Sequence, residues 1–306
     1  MDLDALPRRT INYRLFVAEL LNPMNHFGSY RQGGNTLNAW GAMNRAVASV
    51  KAVVLNCAID PLSWDAALQR VNVWSQSSES RYVCMCNAHA IVTASLDVRS
   101  SEAINKADMA LPGGMPVAWY LRALGVPKQQ RIDASGLMWR VCESAAASAQ
   151  PVFFYGSSPR VLRRLATTLQ DRLPRLRIVG TYSPPYRALT VEEDEAVVQL
   201  VNASGARVVF VALGCPKQEL WMAQHSGKIG AVMIGVGAAF DYQAGIVKRA
   251  PLWMHELGME WLFRLAHEPK RLWRRYLLVI SMFAILTALQ PLKAIGLKVR
   301  TPVPPR

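Results

Sequence analysis

From Val53 onward, apolar runs of about five residues alternate with segments of about twelve residues whose apolar positions recur at helical spacing. The runs are Arg81–Cys86 (RYVCMC), Val152–Tyr155 (VFFY), Leu176–Val179 (LRIV), Arg207–Leu213 (RVVFVAL) and Ala231–Val236 (AVMIGV), each closing on glycine or a polar residue. Between them, Pro159–Leu173 and Val191–Ala203 carry the helical pattern. A short, continuously apolar run is what a strand buried on both faces requires. Strands interleaved with amphipathic helices predict a largely parallel, Rossmann-like α/β sheet covered on both sides. Residues 1–50 show no sustained period and read as an irregular N-terminal extension. The α/β core is expected over 51–262, and a basic, partly apolar segment over 263–306.

In open parallel sheets, ligands bind at the carboxyl ends of the strands, and those ends carry Gly156, Gly180, Gly214 and Gly237. Strand-to-helix turns need glycine for conformational reasons as well, so none of these marks a site by itself. No GxGxxG or GxxxxGK[ST] occurs at the turns, which removes the support for a dinucleotide or P-loop reading.

Charge narrows the choice of partner. Lys and Arg number 35 against 21 Asp and Glu, a formal net charge of +14. From Arg264 onward there are nine Lys or Arg against the single acid Glu268. These charges flank the uncharged stretch Tyr276–Leu292, and a positive rim beside an apolar stretch suits an anionic membrane surface better than nucleic acid. At about 17 residues the stretch is shorter than the roughly 20 a spanning helix needs, which favours insertion into the surface. The five cysteines are scattered and never spaced CxxC, so neither a disulfide framework nor a zinc site is indicated. Charged residues interrupt the N-terminal segment, leaving no secretory leader pattern. The expected location is the cytoplasm, with peripheral attachment to the inner face of a bacterial cell membrane.

Three polar constellations could carry chemistry. Gly214–Glu219 (GCPKQE) follows a strand, where Lys217 and Gln218 could reach a nucleotide. Pro216 and Glu219 there are equally ordinary helix-start residues. Asp241 follows the next strand and could accept from ribose hydroxyls or a uracil N–H, or simply cap a helix. Arg271, Arg274 and Arg275 share one helical face, and guanidinium forks match phosphate oxygens.

These segments resemble the WecG/TagA/CpsF family of bacterial glycosyltransferases. The resemblance runs from Val53 to Arg275 through CNAH, ADMALPGGMP, VFFYGSSP, LPRLRIVGTYSPP, GCPKQELW, GVGAAFDYQAG, Arg249–Pro251 and EWLFRLAHEPKRLWRR. It implies an inverting, metal-independent transferase with no cofactor, using a UDP-sugar donor and a polyprenyl-diphosphate glycolipid acceptor. The product would be capsule, teichoic acid, common antigen or exopolysaccharide. It puts Asn87, Gly156, Gln218 and Asp241 on the nucleotide-sugar side, and Arg264, Arg271 and Arg274 on the acceptor diphosphate. The sequence is silent on which sugar is moved and on whether the chain forms a homo-oligomer.

One departure bears on mechanism. Family members usually read PDG where this chain reads Pro112-Gly113-Gly114, and the Asp is the residue proposed to deprotonate the acceptor. The position two before Asn87, frequently Thr in the family, is Met85, and the family Gly-x-Asp-Leu segment reads Ala134-Ser135-Gly136-Leu137. Three outcomes stay open: a substitute base such as His89 or Asp133, a slowed enzyme relying on positioning, or a homologue that binds at the membrane surface without catalysing.

Overall fold

The computed structural model of the chain describes residues 50–251, 253–254, 258–290 and 298–299; the N-terminal extension expected over 1–50 lies almost wholly outside them. Its centre is a six-stranded sheet, every neighbouring pair of which is parallel. After a short antiparallel hairpin, β1 (Val50–Val54) and β2 (Cys57–Ile59), come β3 (Arg81–Cys86), β4 (Met109–Pro112), β5 (Pro151–Gly156), β6 (Arg177–Tyr182), β7 (Val208–Ala212) and β8 (Val232–Gly235). The sheet order is β4-β3-β8-β7-β5-β6. The backbone of β9 (Lys298–Val299) pairs with β1.

Alternation sorts each strand's side chains onto two cores. On one face Tyr82, Cys84, Phe153, Tyr155, Val209, Val211 and Met233 meet α2 (Ala88–Leu96), α3 (Val98–Asn105), α4 (Met115–Ala123), α7 (Val191–Ala203) and α8 (Lys217–His225). On the other, Val83, Met109, Phe154, Phe210 and Ile234 meet α1 (Trp64–Gln76), α5 (Ala134–Ala147), α6 (Pro159–Arg172) and α9 (Ala239–Gln243). With both faces covered, the strands have to be apolar throughout, which is why β7 reads VVFVA without a polar break. The edge strand β6 is the exception: it is half exposed and starts on an arginine.

The sequence pattern located β3, β5, β6, β7 and β8 within a few residues. It passed over β4 and the β1–β2 hairpin. Met109–Pro112 is only four residues long and merges with its flanking glycines, while the hairpin holds a buried polar pair that masks its strand pattern. Lys51 Nζ lies 3.0 Å from the carboxylate of Asp60, both sequestered, and Asp60 also accepts from the Ala110 N–H, which pins the hairpin to β4.

Two helices close the described chain: α10 (Glu260–His267) and α11 (Pro269–Leu289). α11 lies along α2, burying Phe283 and Thr287, and Phe283 meets Tyr120 edge-on. Gln290, just past its end, accepts from Leu55 N–H at 2.7 Å and donates to Val53 O. No helix among the described residues is long and apolar enough to cross a membrane.

Beneath β5 and β7 Phe154 stacks on Phe210 and meets Phe240 edge-on, all three fully buried. Phe154→Ala should therefore cost about 3–5 kcal/mol of unfolding free energy, measured as a shift in denaturant midpoint; a loss under about 1 kcal/mol would show that the cluster relaxes into the void.

Candidate functional site

Because all six strands run the same way, Cys86, Pro112, Gly156, Ala212 and Gly235 close along one edge of the sheet, and every predicted site residue before Arg264 follows one of those ends or a helix start beside it. The chain leaves β5 toward β6 but leaves β7 in the opposite direction, toward β8, so the crevice between their ends is a topological switch point. Gly156 stands there with φ +110°, and a Cβ on it would fall 2.5 Å from Ala212 O. Only glycine can bring these two strand ends together, and the Ser157 N–H then donates to the same oxygen.

Gln218 sits in the first turn of α8, 5% exposed. Its Nε2 donates to Glu219 Oε1 at 3.0 Å, and its Oε1 is buried without a hydrogen-bond partner among the described residues. The carboxamide lies over the end of β8, where a Cβ on Gly235 would fall 3.2 Å from Gln218 Nε2 and one on Gly237 3.3 Å from Oε1. Burial pushes the Glu219 carboxyl up, opposed by bonds from its own N–H, Gln218 and Cys215. The amide's orientation is thus fixed by a neighbour that the sequence offered only as a helix-start acid.

Asp241 lies in α9 and lines a cavity of about 170 Å³ with Ala238, Tyr242, Val247, Arg264 and Glu268. The structure therefore brings Asp241 and Arg264, which the resemblance split between nucleotide and acceptor, onto one cavity. Tyr242 and Glu268 complete it. Neither was singled out as a site residue in the sequence: Tyr242 reads as one more aromatic in FDYQAG, and Glu268 as the lone acid of a basic tail. Arg274 is exposed above the Trp273 ring, 5.2 Å from its centroid, and does not line the cavity. The backbone of Arg271 lies in α11, and its side chain is outside the described residues.

The positions where this chain departs from the family pattern gather at β3 and β4, beside Asn87, which the resemblance put on the nucleotide-sugar side. Asn87 caps α2, its Oδ1 accepting from Ala90 N–H at 3.0 Å. Gly113 N–H donates to Cys86 O, and a Cβ on Gly114 would stand 3.1 Å from Asn87 Cβ, so the Pro112-Gly113-Gly114 turn runs beside the end of β3. A Cβ on Gly113 would fall 3.3 Å from the Met85 backbone carbon, a tight fit against β3. Ile132 N–H donates to Pro112 O, which brings Asp133 next to the turn. Asp133 Oδ1 caps α5 through Gly136 N–H at 2.8 Å and lies 4.0 Å from Arg249. His89 is half-buried two residues past Asn87 in α2.

Arg131 and Glu260 connect the two halves. Their side chains meet at 2.9 Å, with Arg131 10% exposed, tying the segment beside the Gly113 turn to the helix that carries Arg264 one turn later. No sequence signal joins residues 129 positions apart. Among the described residues no group of three or more His, Cys, Asp or Glu side chains could hold a metal ion.

Glu219 allows a check on the buried half of the site. Its folded-state acid is raised above the ordinary 4.5, so the stability tied to its protonated form is complete below that pH and is lost as pH rises. Glu219→Gln should therefore raise the melting temperature at pH 8 and leave it unchanged at pH 4; an equal shift at both would place its effect outside ionisation.

Against known proteins, the model of the Glycosyl transferase WecG/TagA/CpsF family matches residues 52–295. An N-acetylglucosaminyldiphosphoundecaprenol N-acetyl-beta-D-mannosaminyltransferase of Bacillus spizizenii is 32% identical over 208 residues, which cover 65% of this chain and 79% of the relative. A match over most of the α/β core and both C-terminal helices, joined to a parallel sheet with its polar residues at the carboxyl edge, places this chain in the WecG/TagA/CpsF family of glycosyl transferases.

Proposed function

We propose that this chain transfers a sugar, with inversion, from a UDP-sugar to a polyprenyl-diphosphate-linked saccharide in the assembly of a bacterial surface polysaccharide or exopolysaccharide. The observation that carries it is the shared cavity: a carboxylate suited to ribose or sugar hydroxyls, Asp241, faces the same space as a guanidinium suited to phosphate, Arg264. The relative's acceptor, an N-acetylglucosaminyl diphosphate on a prenyl chain, makes the matching lipid the first acceptor to try, and N-acetylhexosamines the first donors.

In an inverting transfer the acceptor hydroxyl attacks the anomeric carbon as the bond to the nucleotide diphosphate breaks, and the hydroxyl proton passes to a base. Gly113 cannot take it. Asp133, drawn beside the Gly113 turn through Ile132, caps α5 with one carboxylate oxygen, and His89 lies in α2, two residues past Asn87. Either would act as the substitute base. Gly113 equally favours a second reading, in which the chain binds lipid-linked sugars at the membrane surface without turning them over.

Attachment to an anionic membrane belongs to the same proposal. Trp273, Leu277, Leu278, Ile285 and Leu289 are exposed along α11, and Lys270 and Arg274 are exposed on the same helix.

UDP release in the presence of UDP-N-acetylhexosamines and a short-chain prenyl-diphosphate N-acetylglucosamine is the decisive assay. Release is expected, and Asp133→Asn or His89→Gln, whichever removes the base, should lower kcat by about 10² to 10⁴. UDP binding with no turnover of any donor would favour the second reading; absence of both binding and turnover would remove the proposal. Leu277→Gln with Leu278→Gln should reduce co-flotation with phosphatidylglycerol vesicles while leaving the melting temperature unchanged.

A further inference from the structure

Two hydrogen-bond donors of residues lining the shared cavity are left unused by the described residues. Tyr242 Oη and Arg264 Nε are both buried, and neither has a hydrogen-bond partner among the described residues. They belong to adjacent groups: the Arg264 guanidinium carbon lies 5.7 Å from the centroid of the Tyr242 ring, and both side chains line the cavity with Asp241 and Glu268. A single buried donor without an acceptor is uncommon and costly. Two side by side at one cavity are explained by an acceptor that arrives with a ligand.

The chemistry of the lining says what that acceptor is. A guanidinium can only donate. Burial pushes the phenol of Tyr242 up to about 12, against the opposing effect of Arg264, so it keeps its proton and is available as a donor throughout the physiological range. A phenol and a guanidinium lining one cavity suit an oxygen with several lone pairs and negative charge. The carboxylates of Asp241 and Glu268 on the same cavity accept, and suit hydroxyls. A ligand with both properties is a hydroxyl-rich molecule carrying phosphoryl oxygens.

We propose that Tyr242 is a ligand-binding residue whose hydroxyl, alongside Arg264 Nε, donates to a phosphoryl oxygen of a glycosyl diphosphate held in this cavity. The proposal rests on the transferase reading above and assigns a role to a side chain that reading leaves idle. A diphosphate reaches this site from two sources, the nucleotide donor or the prenyl carrier, and the cavity chemistry is shared by both.

Tyr242→Phe removes the hydroxyl and nothing else. Binding of UDP and, separately, of farnesyl diphosphate should be measured by calorimetry on the wild type and the variant, together with their melting temperatures. Expected is a roughly tenfold weakening for at least one ligand, with a melting temperature unchanged or higher, because the variant loses a buried hydroxyl that has no partner among the described residues. Weakening for UDP alone assigns the diphosphate to the donor; weakening for farnesyl diphosphate alone assigns it to the carrier. Unchanged affinity for both, or a loss accompanied by a lower melting temperature, overturns the role of Tyr242 while leaving the transferase reading intact. A wild type that binds neither ligand overturns both.

Discussion

A parallel sheet that is buried on both faces has only its strand ends left for polar chemistry, and everything functional in this protein follows from that constraint. The helices on the two faces absorb the apolar side chains of β3, β5, β7 and β8 into two cores. Polar residues cannot enter those cores without partners. They accumulate where the strands stop: Asn87, Gln218 and Asp241 all follow strand ends along one edge. Gly156, with positive φ and in contact with the backbone of β7, lets two of those ends close up at the switch point.

Along that edge the site has two halves. The half at β8 is a cavity where Asp241, Tyr242, Arg264 and Glu268 meet beneath the C-terminal helices, next to the buried Gln218–Glu219 pair at the start of α8. The half at β3 and β4 is a tight glycine turn flanked by Asn87 and Asp133. The Arg131–Glu260 ion pair spans them, fixing the helix of Arg264 against the segment that leads to Asp133. The transfer proposed above, between two diphosphate-bearing substrates, would need such a fixed separation, because misplacement of either reactant forfeits most of the gain from bringing them together.

The missing Asp at position 113 sharpens what the fold can offer instead. A side chain there would press on the β3 backbone, and this chain fills the place with the smallest residue. Asp133, on the adjoining segment, is engaged in capping α5. Under the transferase proposal, catalysis at this edge would depend more heavily on holding the diphosphates and less on a dedicated base.

Much of the fold was legible because strands buried on both faces must be continuously apolar, and the runs at β3, β5, β7 and β8 are. The four-residue β4 and the β1–β2 hairpin, with Lys51 and Asp60 hidden inside it, were not, since a buried ion pair looks like surface until its partner is known. The motifs around Gln218 and Asp241 could be read as candidate chemistry from residue type and spacing, and Arg264 only through the family resemblance. That Asp241 and Arg264 line one cavity, that Tyr242 and Glu268 complete it, that Arg131 grips Glu260 and that Arg274 stands outside it could not. Sequence alone determined the layered α/β architecture and the edge where chemistry gathers, because both follow from local periodicity. Which side chains converge there was decided only by tertiary structure, because convergence depends on packing between segments more than a hundred residues apart.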